Sequence, residues 1–373
     1  PEALPHAAIL SALDDDQRAR LDAAAARLGR LAREAEADAA APEVSYVGVR
    51  AEPPPTALLK RGDPGSPGPI LAPAGQSAIT APAADLGLAT DAPEAERRRR
   101  FAAWIADPAN PLPARVMVNR LWQYHFGRGI VATPSDFGMN GARPTHPELL
   151  DWLALELVRG GWRLKAVHRR IVLSATYRQA SEHDAAAAAK DADATLLWRY
   201  PPRRLEAEVV RDAMLAASGE LNPAMGGPSF RPFTTTTFSA TFYQPVDRDE
   251  PEYNRRTVYR MNVNSGKEPL LEAFDCPSPA VKTPVRGETI TPLQALSLMN
   301  NSFVRRQAAR LARRSLEAAG GDTPRAVDAA WVRALGRPPD ADERRLAVAA
   351  AGERGLESVC WALLNTSEFL YVR

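Results

Sequence analysis

Apolar side chains recur at steps of three and four residues through most of the chain after residue 93. In the stretch 163–179, Leu164, Val167 and Ile171 follow this spacing, which places them on one face of an α-helix. Similar patterns and helix-end signals mark the ranges 93–107, 110–126, 145–162, 202–221, 291–319, 323–335, 340–353 and 356–370. The sequence therefore predicts a mainly α fold, built as a multi-helix domain.

Two regions depart from this helical pattern. The range 226–268 is rich in Gly, Pro, Thr and aromatic residues, and its segments FTTTTFSATFY and RTVYRMNV favour strands. Near the N-terminus, a predicted helix over 14–41 is followed by two short strands, VSYVGV and TALL, and a Pro/Gly-rich turn. We therefore predict two parts. Residues 1–92 form a short strand-bearing N-terminal segment, the tail of a preceding region, and residues 93–373 form the helical domain, with an irregular β-containing insertion at about 226–268.

The charge balance and the cysteines exclude several classes of protein. The chain of 373 residues has 47 basic and 45 acidic side chains, a formal charge of +2, far from the basic excess of a general nucleic-acid binder. It contains no apolar run of about 18 to 20 residues, the length of a membrane span. Cys276 and Cys360 stand far apart, without a C-x-x-C motif, which excludes a zinc ribbon and covalent c-type haem. We predict no nucleic-acid partner, membrane span or cofactor; the two thiols are either paired or free.

Some polar residues have the spacing of helix caps. Thr145 with Glu148, Thr291 with Gln294 and Asp340 with Glu343 have the N-cap to N3 separation of a capping box, in which two side chains satisfy each other's backbone amides. Gly219 follows a predicted helix, where a left-handed C-terminal cap favours glycine. These positions are interpreted as structural.

Several spaced motifs carry a family resemblance. They begin with NPLPARVMVNRLWQYHFGRGIVATPSDFGMNGARPTHPELLDWLALELVRGGW and continue through RRLEAEVVRDAMLAASG, RRTVYRMNV, LEAFDCPSP, TPLQALSLMNNSFV, LGRPPDADE and WALLNTSEFLYVR. In this order, over about residues 100–373, they resemble a planctomycete domain of unknown function that usually forms the C-terminal part of exported proteins with planctomycete-type cytochrome c domains.

The resemblance implies a location outside the cytoplasmic membrane, in the periplasm or at the cell surface. It also implies a mainly helical fold, neighbouring cytochrome or carbohydrate-binding modules, and a longer parent chain in which Pro1 is an internal position. The family has no established activity. Because the haem-binding motif is absent from this sequence, electron transfer is not assigned to this segment.

Histidines and carboxylates between residues 125 and 168 invite a metal-site or catalytic hypothesis. Imidazole and carboxylate together bind zinc or iron, but His125, His146 and His168 form no H-E-x-x-H motif, so we favour structural roles and predict no metal. If the chain is an enzyme, the predicted catalytic residues are Asp136, His146 and Asp151, with Arg115, Arg120 and His125 as anchors.

Arginine and amide side chains form the largest polar set. Guanidinium groups that converge can fork onto carboxylate, sulfate or phosphate oxygens, which suits acidic polysaccharide. The same groups can instead bond helix-end carbonyls and nearby acids, and we favour this internal network because buried charges need partners. The predicted binding residues are Arg115, Asn119, Arg120, Gln123, His125, Arg128, Arg203 and Arg204; the wider set adds Arg255, Arg256, Arg286 and Asn300.

Three functional hypotheses follow. The first is an accessory or binding domain of an exported multidomain protein, engaged with acidic polysaccharide or in assembly. The second is an extracytoplasmic enzyme that acts on carbohydrate through the Asp/His/Arg set. The third, which rests only on the resemblance, is a partner of a cytochrome c module in the same or a neighbouring chain.

Overall fold

A computed structural model describes the backbone of residues 13–40 and 51–372 and the side chains of residues 13–35 and 51–372. About half of the chain is helical, and the strands form only small antiparallel pairs, which confirms the predicted mainly α fold with small β parts. The predicted strand VSYVGV, over 44–49, lies outside the described residues. No helix in the described ranges combines the length and the apolar character needed to cross a bilayer.

Contacts divide the chain into two compact units, residues 1–77 with 83–102, and residues 78–82 with 103–373. The described part of the first unit contains helix α1 (Asp15–Ala40) and an antiparallel pair, β1 (Ala57–Leu59) with β2 (Pro67–Ile70). Helix α2 (Glu94–Ala106) contains the boundary between the units. Asp63 stabilises the turn between β1 and β2, since its carboxylate accepts hydrogen bonds from Gly65 N and Ser66 Oγ at 2.9 Å.

The second unit begins with a small helical cluster. Its helices are α3 (Pro111–Phe126), α4 (Pro147–Arg159), α5 (Leu164–Leu173), α6 (Ala175–Arg178) and α7 (Ala185–Ala188). Buried side chains from α3, α4 and α5 form one hydrophobic core, to which Trp122 and Phe126 contribute a stacked pair with centroids 4.2 Å apart. Gly127 ends α3 at φ 83°, as its position in the sequence predicts.

A second, larger core follows in the same unit. The core lies among the helices of the elements that follow α7, which are β3 (Arg203–Arg204), α8 (Ala207–Ser218), the hairpin β4 (Phe233–Thr237) with β5 (Thr241–Pro245), α9 (Pro269–Ala273), α10 (Pro292–Asn300), α11 (Ser302–Ala318), α12 (Thr323–Leu335), α13 (Ala341–Arg354), α14 (Leu356–Leu364), α15 (Ser367–Leu370) and β6 (Tyr371–Val372). Helices α8, α11, α12 and α14 supply most of its buried residues. Strand β3 pairs with β6 antiparallel, and Val372 packs against the first core.

The insertion is only partly as predicted. FTTTTFSATFY forms the β4–β5 hairpin, but RTVYRMNV forms a 3-10 turn at Thr257–Tyr259 instead of a strand. The reason is tertiary: the backbone N and Oγ1 of Thr257 both donate to Asp212 Oδ1 of α8, at 2.8 and 2.6 Å. Only Arg260 keeps a single β-bridge, to Phe230.

The predicted caps also have mixed outcomes. The capping boxes of Thr291 with Gln294 and of Asp340 with Glu343 are confirmed. The prediction of a capping box between Thr145 and Glu148 is wrong, because α4 begins only at Pro147. The fixed φ of proline suits this first helical position. His146 is then the N-cap, and Thr145 N bonds Ile130 O instead.

Candidate functional site

The predicted binding residues on α3 have different partners. Arg115 Nε lies 2.6 Å from Asp151 Oδ1 of α4. Asn119 is fully buried; its Nδ2 donates to Val131 O at 3.0 Å and its Oδ1 accepts from Val131 N at 2.8 Å. Gln123 donates to Pro284 O at 3.2 Å. Arg120 and Arg128 are exposed, and neither forms an ion pair with a described residue. Asn119 therefore acts as a structural bridge to the chain after α3.

Gln123, Arg203 and Arg204 are brought together at a cleft of about 300 Å³. Arg203 Nη1 donates to Tyr124 O at 2.8 Å, which satisfies a carbonyl in the last turn of α3. Arg204 is buried; it pairs with Asp275 Oδ2 at 2.6 Å and also bonds Thr289 O. Both arginines are thus engaged inside the fold.

Arg286 lines the same cleft. Its guanidinium forks onto the carboxylate of Glu208 with two bonds of 3.0 Å, the geometry that makes Arg–carboxylate pairs strong. Cys276 Sγ lies 3.7 Å from the same carboxylate, and burial, reinforced by Glu208, raises the pKa of this thiol to about 11. Acids therefore neutralise Arg286 and Arg204, whereas Arg203 bonds a backbone carbonyl and has no ion pair with a described residue.

The histidines form a pair that the sequence does not reveal. His125 Nε2 and His168 Nδ1 share a hydrogen bond of 2.8 Å between α3 and α5. Burial lowers the pKa of His125, and His168 and Arg203 lower it further. Tyr200 donates its hydroxyl proton to His125 O at 2.8 Å. His125 is therefore neutral near pH 7 and packed between helices.

The predicted catalytic residues have separate local partners. Asp136 Oδ1 accepts from Gly138 N at 2.8 Å in an exposed loop, His146 Nδ1 bonds Thr145 Oγ1 at 2.9 Å, and Asp151 pairs with Arg115. No hydrogen bond or ion pair joins these three described residues to one another. In the described ranges, no group of three or more His, Cys, Asp or Glu side chains is arranged to hold a metal ion.

A different cleft holds buried positive charge. This arginine cleft, about 230 Å³, lies between the insertion and the start of α11. Its walls include Arg211, Arg260, the rings of Phe230, Tyr253 and Phe303, and the carboxylates of Glu268 and Asp247. Arg211 and Arg260 are each only 8% exposed. We define the arginine cleft by these seven residues.

Arg211 is held rigidly in the arginine cleft. Its guanidinium lies over the rings of Phe303 and Phe230, with centroids 5.3 and 5.7 Å away. It donates to Tyr253 O at 2.6 Å and to Arg255 O and Thr257 Oγ1 at 3.1 Å. These contacts tie α8 to the insertion and fix the direction of the positive charge.

Arg260 has much weaker compensation. Its only described hydrogen bonds go to Met261 O at 3.3 Å and Gly266 O at 3.5 Å, and no described carboxylate lies within ion-pair distance of it. Burial lowers the pKa of Arg260. Burial also lowers the pKa of Arg211, and the positive charge of Arg260 lowers it further. A buried guanidinium without an ion pair costs free energy, so an incoming anion would be stabilised here.

The acids near the arginine cleft compensate this charge only in part. Asp212 lies 3.6 Å from Arg211, and the charge of Glu268 opposes the effect of burial on the pKa of both arginines. Arg306 takes both oxygens of Asp247, at 2.6 and 2.5 Å, and Ser302 Oγ donates to the same carboxylate. Glu268 accepts from Leu271 N at 2.7 Å and caps α9. Asp247 is therefore neutralised by a cation outside the pair Arg211 and Arg260.

Arg211 and Arg260 were not among the predicted site residues, although they lie in the family motifs RRLEAEVVRDAMLAASG and RRTVYRMNV. Arg211 bonds residues 42 to 46 positions away, a separation that no local pattern encodes. The one available signal was that Arg260 stands between Val258–Tyr259 and Met261, since a charge beside apolar and aromatic residues is a candidate functional group.

Comparison with known proteins gives one match. The family model of PSD1, described as a protein of unknown function (DUF1553), matches residues 97–351. No curated protein and no solved structure matches the chain. The matched range covers more than half of the sequence, including the insertion, both clefts and the helices from α3 to α12, and it ends within α13. The chain therefore belongs to the PSD1 (DUF1553) family.

Proposed function

We propose that this chain is an accessory binding domain that takes an anionic group of an acidic polysaccharide into the arginine cleft. The observation that carries the proposal is Arg260, a buried guanidinium that lines the cleft without a carboxylate partner among the described residues. Carboxylate and sulfate groups each present at least two oxygens, so a guanidinium can donate two parallel hydrogen bonds to either of them.

The walls of the arginine cleft suit a charged sugar ring. Phe230, Tyr253 and Phe303 supply aromatic surface, and Arg211 and Arg260 supply donors. The volume of about 230 Å³ is below the roughly 300–1,000 Å³ of pockets that enclose a drug-sized ligand. The cleft therefore accommodates one acidic residue of a longer chain, which supports a polymeric ligand over a soluble cofactor.

Isothermal titration calorimetry of the full chain tests this function. The ligands are oligogalacturonate, a sulfated glucan and a neutral glucan. We expect only the two anionic ligands to bind, and the ratio of their affinities distinguishes carboxylate from sulfate recognition. Arg260→Met weakens binding about 10- to 100-fold, the loss expected for one charged hydrogen-bonding group. Because an apolar replacement of an unpaired buried charge is neutral or stabilising, the melting temperature does not fall.

The matched control is Arg344→Met, which removes an arginine paired on the surface with Asp328 at 2.8 Å and leaves binding unchanged. Equal affinity of wild type and Arg260→Met contradicts the proposal. The same mixtures, assayed for new reducing ends, test the alternative enzyme with Asp136, His146 and Asp151: turnover that His146→Ala abolishes at unchanged melting temperature would establish it.

We also propose, on the family resemblance alone, a location outside the cytoplasmic membrane and association with cytochrome c modules. Fractionation of cells that make the full-length parent protein checks the location. A pull-down with the cytochrome module of the same parent protein checks the partner, and its failure removes the redox-partner role.

A further inference from the structure

The β4–β5 hairpin rises from the rim of the arginine cleft. Pro232 immediately precedes β4 and Pro245 ends β5, and both line the cleft. Each strand has five residues, so at about 3.4 Å per residue the hairpin extends roughly 17 Å from that rim. The hairpin therefore forms a surface continuous with the cleft.

One face of this hairpin packs on the protein. Phe233 and Tyr243, both half-buried, share it with the exposed Thr235, because residues two apart in a strand, and directly opposite across an antiparallel pair, point to the same side. The rings of Phe233 and Tyr243 meet edge to face with centroids 5.0 Å apart. A Cβ added at Gly266 would lie 2.9 Å from Tyr243 Cβ, which shows how closely this face approaches the chain.

The other face of the hairpin is exposed. It carries Thr234, Thr236, Phe242 and Gln244, all exposed, and Phe238 lies in the turn at the tip. Phe242 is 53% and Phe238 is 79% exposed. Exposed aromatic rings beside hydroxyl and amide groups form a surface that has both apolar area and hydrogen-bonding capacity. We call these five residues the hairpin face.

We propose that the hairpin face binds the sugar residues that flank the one held in the arginine cleft, so that the ligand is an internal stretch of an extended acidic polysaccharide. The inference rests on the proposed function of the cleft. Phe238 and Phe242 stack on the apolar faces of sugar rings, and the threonine hydroxyls and Gln244 amide bond their hydroxyl groups. A monosaccharide or a chain end fills only the cleft.

Ion pairs hold the hairpin at a fixed position beside the cleft. Asp247 and Asp249 follow β5 and pair with Arg306 and Arg310 of α11, at 2.5 and 2.7 Å. Asp247 also lines the cleft, so its ion pair with Arg306 fixes both the base of the hairpin and one side of the cleft. A ligand bound across both surfaces then needs little reorganisation of the protein, which favours affinity.

The dependence of affinity on ligand length tests this inference. Galacturonate oligomers from the dimer to the octamer are titrated into the wild type, into Phe238→Ala/Phe242→Ala and into Arg260→Met. For the wild type, affinity rises with length. In the hairpin variant the dimer binds as in the wild type, whereas the octamer loses about fivefold or more, the usual effect of truncating contributing aromatic residues. Arg260→Met weakens every length.

Because both phenylalanines are exposed, the hairpin variant should keep its circular dichroism spectrum and melting temperature. Leu346→Ala, an exposed apolar residue of α13, is the matched control and keeps the dependence on length. An unchanged dependence in the hairpin variant overturns this inference alone. Absence of binding at any length overturns the proposed function and this inference together. Wild-type dimerisation that the hairpin variant abolishes assigns the hairpin face to self-association and also overturns it.

Discussion

Asn119 shows how one polar side chain can hold two chain segments together. It is fully buried and satisfies both the N–H and the C=O of Val131. Replacing it by Ala leaves two backbone groups without partners, each costing about 1–3 kcal/mol. We expect Asn119→Ala to lower the free energy of unfolding in urea by about 2–4 kcal/mol. Gln123→Ala, which removes one bond to Pro284 O, should cost far less, and equal losses would contradict this role.

His125 predicts a pH dependence at the residue scale. Its folded pKa is lowered, chiefly by burial, below the value of about 6.5 in the unfolded chain. Between these two values the unfolded state binds more protons, so stability is complete above about pH 7 and falls as the pH drops through 6.5. His168, Arg203 and Tyr177 face the ring, and none offers it a negative charge.

Melting temperatures between pH 8 and pH 5 measure this dependence. Other groups titrate at the acid end, so the informative quantity is the difference between the wild type and His125→Gln, which keeps a group able to bond His168. The variant should lose less stability on acidification. Parallel curves for the two proteins would show that His125 does not contribute to the pH dependence.

The two cysteines are both free, which resolves the choice between pairing and free thiols. Cys360 belongs to the larger core, and burial raises its pKa to about 12. Such a thiol behaves as a small apolar side chain with little thiolate character. Its role is packing.

At the scale of elements, periodicity predicted most helices because one apolar face per helix is what a core requires. The sequence did not predict the breaks between consecutive helices, where a side chain caps the second helix by accepting a backbone hydrogen bond. Asn301 caps α11 by accepting from Phe303 N, and Ser174 caps α6 by accepting from Tyr177 N. Each divides a range that was predicted as one helix. Asn and Ser compete with helical bonding in this way, but the same residues also occur within helices, so sequence alone does not locate the break.

The candidate site was less predictable than the fold. Arg203 and Arg204 were identified, but their partners Tyr124, Asp275 and Thr289 come from distant positions. For Arg260 the decisive property is that no described carboxylate lies within ion-pair distance of it, although Glu268 lines the same cleft; this depends on packing between the insertion, α8 and α9. Residue type indicates which groups can bind an anion, whereas tertiary structure decides which of them are already neutralised.

For the whole molecule, charge is balanced locally as well as in total. Arg337 bridges Glu343 and Glu368 with bonds of 2.6 to 2.7 Å and thereby joins α13 to α15. The pKa of Glu343 falls to about 2 beside this guanidinium. These three side chains are half-buried, and ion pairs near the surface contribute only about 0–1 kcal/mol each, with bidentate networks at the upper end. Stability therefore depends mainly on the two hydrophobic cores.

The two cores of the second unit are joined by the C-terminal strand. Residues Tyr371 and Val372 pair with Arg204 and Arg203, and Val372 packs on the first core while Phe369, three residues earlier, belongs to the second. Deleting residues 371–373 removes this pairing but retains the bond from Leu205 N to Leu370 O. We expect a loss of about 1–3 kcal/mol in unfolding free energy and less cooperative unfolding of the two cores.

Hydrogen exchange followed by mass spectrometry measures the effect of this deletion. Amides of α3, α4 and α5, which form the first core, should exchange faster, while those of α11 and α14 keep their protection, because only the first core loses a contacting strand. Val372→Ala is the control; it keeps the backbone pairing and removes side-chain contact only. If the deletion and the substitution have equal effects, packing of Val372 carries the coupling; if neither changes the first core, the strand does not couple them.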